Sequence, residues 1–116
     1  MNPGDIYWVE LPAVSGREQA GRRPAVILQN EDFASANPLV IVIPITSARA
    51  ATRFAGTMVV EPTQSNGLSL TSVVLAFQIR AIDRRFLGDW IGHITSDQLG
   101  DLYTLLDQLT GRPDAI

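Results

Sequence analysis

The sequence predicts a mainly β fold with a C-terminal α-helix, arranged as a small antiparallel barrel or a strongly bent antiparallel sheet. Three observations predict it. Short apolar or alternating segments recur up to residue 94, punctuated by Pro, Gly and Asn turn signals. The period then changes once, where Leu99, Leu102, Leu106 and Leu109 fall on one helical stripe. Strands and helices do not alternate, which argues against βαβ units and for a sheet that bends over its own core.

Each element has its own reason. "DIYWVEL" alternates loosely and stops at Pro12, reading as a strand, and "PAVSGREQAG" follows as a loop. Arg23 precedes Pro24, whose ring disfavours helical backbone at the residue before it, so the strand "PAVILQ" effectively begins at the pair Arg22–Arg23. "NEDFASANP" is a polar connection. "LVIVIPI" is almost wholly apolar, the pattern of a strand buried on both faces, and it ends at "TSARAATR". "GTMVVE", "SVVLAFQIR" and "DWIGHI" read as three further strands, with Asn66-Gly67 marking the turn between the first two, for five or six strands in all. The helix runs over residues 96–109. Thr95 and Gln98 have capping-box spacing, and Gly111 followed by Pro113 supplies the stop.

A chain of 116 residues is expected to form a single domain, residues 1–116, with one hydrophobic core. No apolar run approaches the ~20 residues of a membrane span, and no basic-then-apolar leader opens the chain, so a cytoplasmic protein that does not enter a membrane is expected. Cysteine is absent, which excludes a disulfide framework and thiolate metal ligation. The net charge is -3, yet every basic residue is an arginine and the charges segregate. Residues 17–53 carry five Arg against three carboxylates, residues 80–85 three Arg against one, and residues 86–116 five Asp against one Arg. That balance argues against a non-specific polyanion binder and leaves room for a locally basic groove.

Chemistry has few carriers. His93 is the single histidine, too little for a three-ligand zinc site, and its place just before the helix cap suits a structural or rim role. No G-x-S-x-G, dinucleotide fingerprint or P-loop is present. What remains is Glu18 and Gln19 in the loop, Arg22 and Arg23 at its exit, and Thr46 and Ser47 at the end of the apolar strand. Arginine presents paired planar donors to phosphate oxygens and a hydroxyl adds another, so this set can clamp a phosphate. By spacing alone, a solvated loop with an Arg–Glu surface pair accounts for the same residues.

Three blocks carry a family resemblance. "GDIYWVELPAVSGREQAGRRPAVILQN" holds an opening G-[DE]-[IV]-[WY] and a G-x-E-Q-x-G-x-R-P loop that runs into an apolar strand; "VIVIPITS" ends in a hydroxylic pair, and "VVLAFQIRAID" holds Q-x-R-x-[IL]-D. In that order, over nearly the whole chain, they resemble the MazF/PemK-type toxin endoribonucleases. The resemblance implies a homodimer of SH3-like barrels, each with a C-terminal helix. It further implies metal- and cofactor-free cleavage of single-stranded RNA to 2',3'-cyclic phosphate and 5'-hydroxyl ends, and neutralisation by a cognate antitoxin.

Carried residue by residue, the family's catalytic arginine falls on Arg23, its catalytic threonine on Thr46 and its loop glutamate on Glu18. Arg23 would stabilise charge on phosphorus, Thr46 would donate to a non-bridging oxygen, and Glu18 would either accept the 2'-hydroxyl proton or orient Arg23. Gln19, Arg22 and Ser47 are expected to touch RNA beside them. Arg49 and Arg53, in the loop after Thr46, and Phe77, Gln78 and Arg80, in the third block, complete the expected RNA contacts.

Two positions depart from the family pattern. Arg17 stands where some members have histidine, and Phe77 stands where many have an acidic residue; Phe77 reads as a core residue or as an aromatic that stacks on a base. Specificity is expected in the loops at residues 31–37 and 48–56. Two other functions compete. A CcdB-like gyrase poison shares the barrel but depends on an apolar, Trp-containing C-terminus, whereas this chain ends "LTGRPDAI"; a non-catalytic member of the same fold would only bind a partner.

Overall fold

The computed structural model describes residues 1–12, 16, 19–34 and 36–113. Seven strands among these residues form one antiparallel sheet: β1 (Asp5–Leu11), β2 (Gly21–Ile27), β3 (Leu39–Thr46), β4 (Thr57–Val60), β5 (Ser72–Leu75), β6 (Arg80–Asp83) and β7 (Leu87–His93). Their order is β4-β5-β3-β2-β1-β7, with β6 also pairing β3. The sheet does not close, so the architecture is the bent sheet of the two forms predicted.

The apolar segment "LVIVIPI" became β3, and residues 40 and 42–46 of it are all buried. Its pleat feeds two cores. Ile43 and Ile45 join Ile6, Val26, Val60, Val74 and Leu102 on one face, while Val40 and Val42 join Val9, Leu11, Ala25, Ile27 and Ile82 on the other. Neighbouring residues of β2 and β3 thus enter opposite clusters, which is possible only where the bent sheet covers both of its faces.

Two expectations change. "SVVLAFQIR" is not one strand, because a 3-10 turn at Ala76–Gln78 divides it into β5 and β6. Thr46 pairs with Val73 while Val42 pairs with Arg80, so four steps along β3 face seven along the other chain. The turn absorbs the three extra residues, and without it Val42 would face Phe77. Strand period therefore continues through a segment whose register does not. The count of five or six strands becomes seven for the same reason. "NEDFASANP" also contains one helical turn, α1 (Glu31–Ala34), with Asn30 Oδ1 accepting from the Asp32 N–H at 2.8 Å.

The terminal helix, α2 (Ser96–Thr110), has the ends its sequence predicts. Thr95 Oγ1 accepts from the Gln98 N–H at 3.0 Å and Gln98 Oε1 accepts from the Thr95 N–H at 2.9 Å; Gly111 turns the chain left-handed at φ 80°. Leu102 is fully buried and Leu99 and Leu106 pack on the core, but Leu109, the last of the stripe, stands 41% exposed. Among the described residues no helix is long and apolar enough to cross a membrane.

The Asn66-Gly67 turn does more than join strands. Asn66 is buried, its Oδ1 accepts from the Thr63 and Leu68 N–H groups, and its Nδ2 donates to Glu61 O at 2.8 Å. One side chain thus satisfies three backbone groups of the loop between β4 and β5. Asn66→Ala leaves these without their partner and is expected to cost about 2–3 kcal/mol. Thr95→Ala removes a cap from an exposed helix end and is expected to cost about 1 kcal/mol. Denaturant melts that rank the two the other way would show that Asn66 is not the hub of its loop.

Candidate functional site

Arg23 and Thr46 arrive at one place because β2 and β3 are paired. Ala25 lies opposite Pro44 in an antiparallel ladder, which sets the start of β2 beside the end of β3. Both line a cavity of about 190 Å³ together with Arg22 and Ser47. Its other wall comes from Trp8 of β1, Ile91 of β7 and the Asn66-bound loop through Gly67, Leu68, Ser69 and Leu70. Among the described residues two arginines and no carboxylate line it, a lining that favours an anion.

Local bonds set what each group has left to offer. Thr46 is buried, and its Oγ1 accepts the Ala48 N–H at 3.2 Å. With one lone pair so engaged, its hydroxyl proton is available for donation. Arg23 is half-buried, and its Nε donates to Ala20 O at 3.0 Å. That bond holds the guanidinium at Nε, and among the described residues neither terminal nitrogen is engaged, the edge suited to two oxygens of one phosphate. Arg22 is exposed and lies over the Trp8 ring, 4.2 Å from its centroid.

The remaining predicted site residues fall into two other groups. Gln19 meets Gln78 and Arg80: the Gln19 N–H donates to Gln78 Oε1 at 2.8 Å, and Arg80 Nη2 donates to Gln19 O at 2.8 Å. Arg53 lies over the Phe54 ring, whose centroid is 5.9 Å from that of Phe77. Phe77 is 42% exposed, so it is not a core residue; the turn at Ala76–Gln78 puts it outside the ladder. Arg49 begins the 3-10 turn Arg49–Arg53 and is exposed, and neither it nor Arg53 lines the cavity. Glu18 and Arg17 lie outside the described residues. His93 is exposed, with Nδ1 3.1 Å from Ile94 O, away from the cavity lining.

Trp8 and the wall from Gly67 to Leu70 were not among the residues nominated from sequence. The signal for the wall was the Asn66-Gly67 pair, which reads locally as a turn and reveals nothing about which strand end it covers. Trp8 sits in an alternating strand, where an outward aromatic needs no explanation beyond the pleat.

Known proteins place this architecture. A family model described as the PemK-like, MazF-like toxin of type II toxin-antitoxin systems matches residues 2–110. The Endoribonuclease MazF of Staphylococcus saprophyticus is 31% identical over 107 residues, 92% of this chain and 88% of the relative. Among solved structures, the MazF of Deinococcus radiodurans superposes with a TM-score of 0.81 at 25% identity, covering 96% of each chain. An endoribonuclease from a mycobacterial species, solved in complex with its cognate antitoxin, superposes at 0.77 with 22% identity over 99% of each. On the match to residues 2–110 and the 31% identity, the chain belongs to the PemK-like, MazF-like toxin family of type II toxin-antitoxin systems.

Proposed function

We propose that this protein is an endoribonuclease toxin that cleaves single-stranded RNA through the RNA's own 2'-hydroxyl, with no metal or cofactor. The observation that carries the reading is the convergence of Arg23 and Thr46 on one anion-favouring cavity. The 2'-oxygen attacks phosphorus, the bond from phosphorus to the 5'-oxygen breaks, and the products are a 2',3'-cyclic phosphate and a 5'-hydroxyl. The proton lost by the 2'-hydroxyl is balanced by the one gained at the 5'-oxygen.

Negative charge grows on the non-bridging oxygens as the fifth bond forms, and fixed donors there lower the barrier. The terminal nitrogens of Arg23 and the hydroxyl of Thr46 are those donors. A guanidinium holds its proton too tightly to act readily as the acid, so the role of the arginine is electrostatic. Glu18 is assigned the orientation of Arg23. Arg22, Ser47, Arg49 and Arg53 contact the flanking RNA.

The family and the relatives solved with antitoxins support a protein antitoxin as the physiological partner. A homodimer is the working assembly. Phe54, Phe77 and Leu109 form an exposed apolar patch, since a side chain at Gly56 would touch both Leu109 and Phe77, and such patches mark protein contacts.

Mixed RNA incubated with the protein in EDTA is expected to be cut, with cyclic-phosphate ends found by sequencing. Intact RNA under those conditions, with inhibited gyrase, would point to the CcdB-like activity instead. Arg23→Ala is expected to lower cleavage by about 10²–10³-fold or more without unfolding the protein, and Thr46→Val by about 10²-fold, whereas Thr46→Ser retains most activity. Full activity in Arg23→Ala would sink the mechanism. Phe77→Asp is expected to convert dimer to monomer in sedimentation equilibrium, and an unchanged dimer would remove the patch from the interface.

A further inference from the structure

Gln78 and Arg80 lie 59 and 61 residues beyond Gln19 in sequence, yet both backbone groups of Gln19 are bonded to their side chains. Gln78 Oε1 takes the N–H and Arg80 Nη2 takes the carbonyl, each at 2.8 Å; Arg80 Nη2 also lies 3.4 Å from Gln78 Oε1, which ties the two side chains together. The next residue, Ala20, presents its carbonyl to Arg23 Nε at 3.0 Å. Gly21 then turns the chain at φ 82°, a backbone region that favours glycine, before the arginine pair begins. Three side chains therefore meet at two consecutive residues of the loop.

We infer that Gln78 and Arg80 are positioning residues that act through the Gln19–Ala20 backbone to set the guanidinium of Arg23, and are not primarily contacts to RNA. The inference rests on reading Arg23 as the phosphate clamp. A guanidinium held at Nε by a loop carbonyl can be no better fixed than the loop. Gly21, at the loop exit, pairs with Leu11 in the β1–β2 ladder, whereas Gln19 and Ala20 precede that ladder. Hydrogen bonds from a separate element restrain Gln19 directly. Gln78 and Arg80 are placed to do so by the three-residue register jump between β5 and β6, which brings this stretch of chain under the loop.

Two substitutions at Gln78 separate positioning from RNA contact. Gln78→Met keeps length and removes the acceptor; Gln78→Glu keeps an acceptor for the Gln19 N–H and a partner for Arg80, while adding a charge that repels RNA. In the RNA-free dimer, heteronuclear NMR is expected to show exchange of the Gln19 N–H and the Arg23 Nε–H faster by about tenfold in Gln78→Met, the scale of one lost hydrogen bond. Wild-type rates are expected to return in Gln78→Glu. With an RNA substrate, kcat is expected to fall by a similar factor in Gln78→Met with KM nearly unchanged, and to recover in Gln78→Glu.

Unchanged exchange at both groups in Gln78→Met overturns the inference whatever the RNA assay shows. A raised KM with unchanged kcat, most severe in Gln78→Glu, overturns it in favour of an RNA contact. Arg80→Gln provides the same test at the other bond if Gln78→Met does not fold. A wild-type protein that cuts no RNA would refute the phosphate-clamp reading, while the exchange rates would still decide whether the restraint exists.

Discussion

β3 hydrogen-bonds along both of its edges, and every part of the candidate site is referenced to it. On one edge it holds β2, through the ladder from Ala25–Pro44 to Ile27–Val42; on the other it holds β6 along its first half and β5 at its last two residues. Where both faces of such a strand are covered, as from Val42 onward, its residues must be apolar, while Leu39 and Ile41 in its first half stay exposed. The near-continuous run from Val40 to Ile45 meets that demand, and Thr46 marks where it ends. Buried, and bonded to the Ala48 N–H, the threonine is held in the β3–β5 ladder, while the β1–β2 ladder holds the arginine.

The cavity is a consequence of where strands stop. Arg22 and Arg23 stand at the start of β2, Thr46 and Ser47 at the end of β3, and the loop from Gly67 to Leu70 folds over them. That loop keeps its shape because Asn66 is buried with its hydrogen bonds satisfied, and the close approach of Gly67 to Ile91 sets its distance from β7. The candidate groups thereby sit on strand ends and a stitched loop, where they border the cavity yet are held. Charge follows the same division. The helix carries Asp97, Asp101 and Asp107, whereas the described residues that line the cavity include arginines and no carboxylate, so an acidic protein presents a basic site.

The third block illustrates how one local irregularity distributes roles. The 3-10 turn at Ala76–Gln78 lets a single segment pair twice with β3 in two registers. It displaces Phe77 outward beside Phe54, where the two rings form an apolar surface, and directs Gln78 and Arg80 to the backbone of Gln19. Residues adjacent in sequence thus serve a surface and a loop on different sides of the turn.

Much of this was legible in the sequence. The strand β1, the start of β2 at its arginine pair, the buried character of β3 and both caps of α2 follow from period, from the proline after Arg23 and from the Thr95–Gln98 spacing, all of which act within a few residues. The motif order identified Arg23 and Thr46 as candidates. It did not reveal the register jump between β5 and β6, because side-chain alternation persists through a segment that changes partner. It did not reveal the roles of Gln78, Arg80, Phe77 or Trp8 either, since the same side chain can bond a loop, cover a core or face solvent depending on what lies across from it. Local patterning determined which segments become strands and which becomes the helix; the meeting of Arg23 with Thr46, and of Gln78 and Arg80 with Gln19, was decided only by the pairing of β3 on both edges, a long-range constraint that no short stretch of chain encodes.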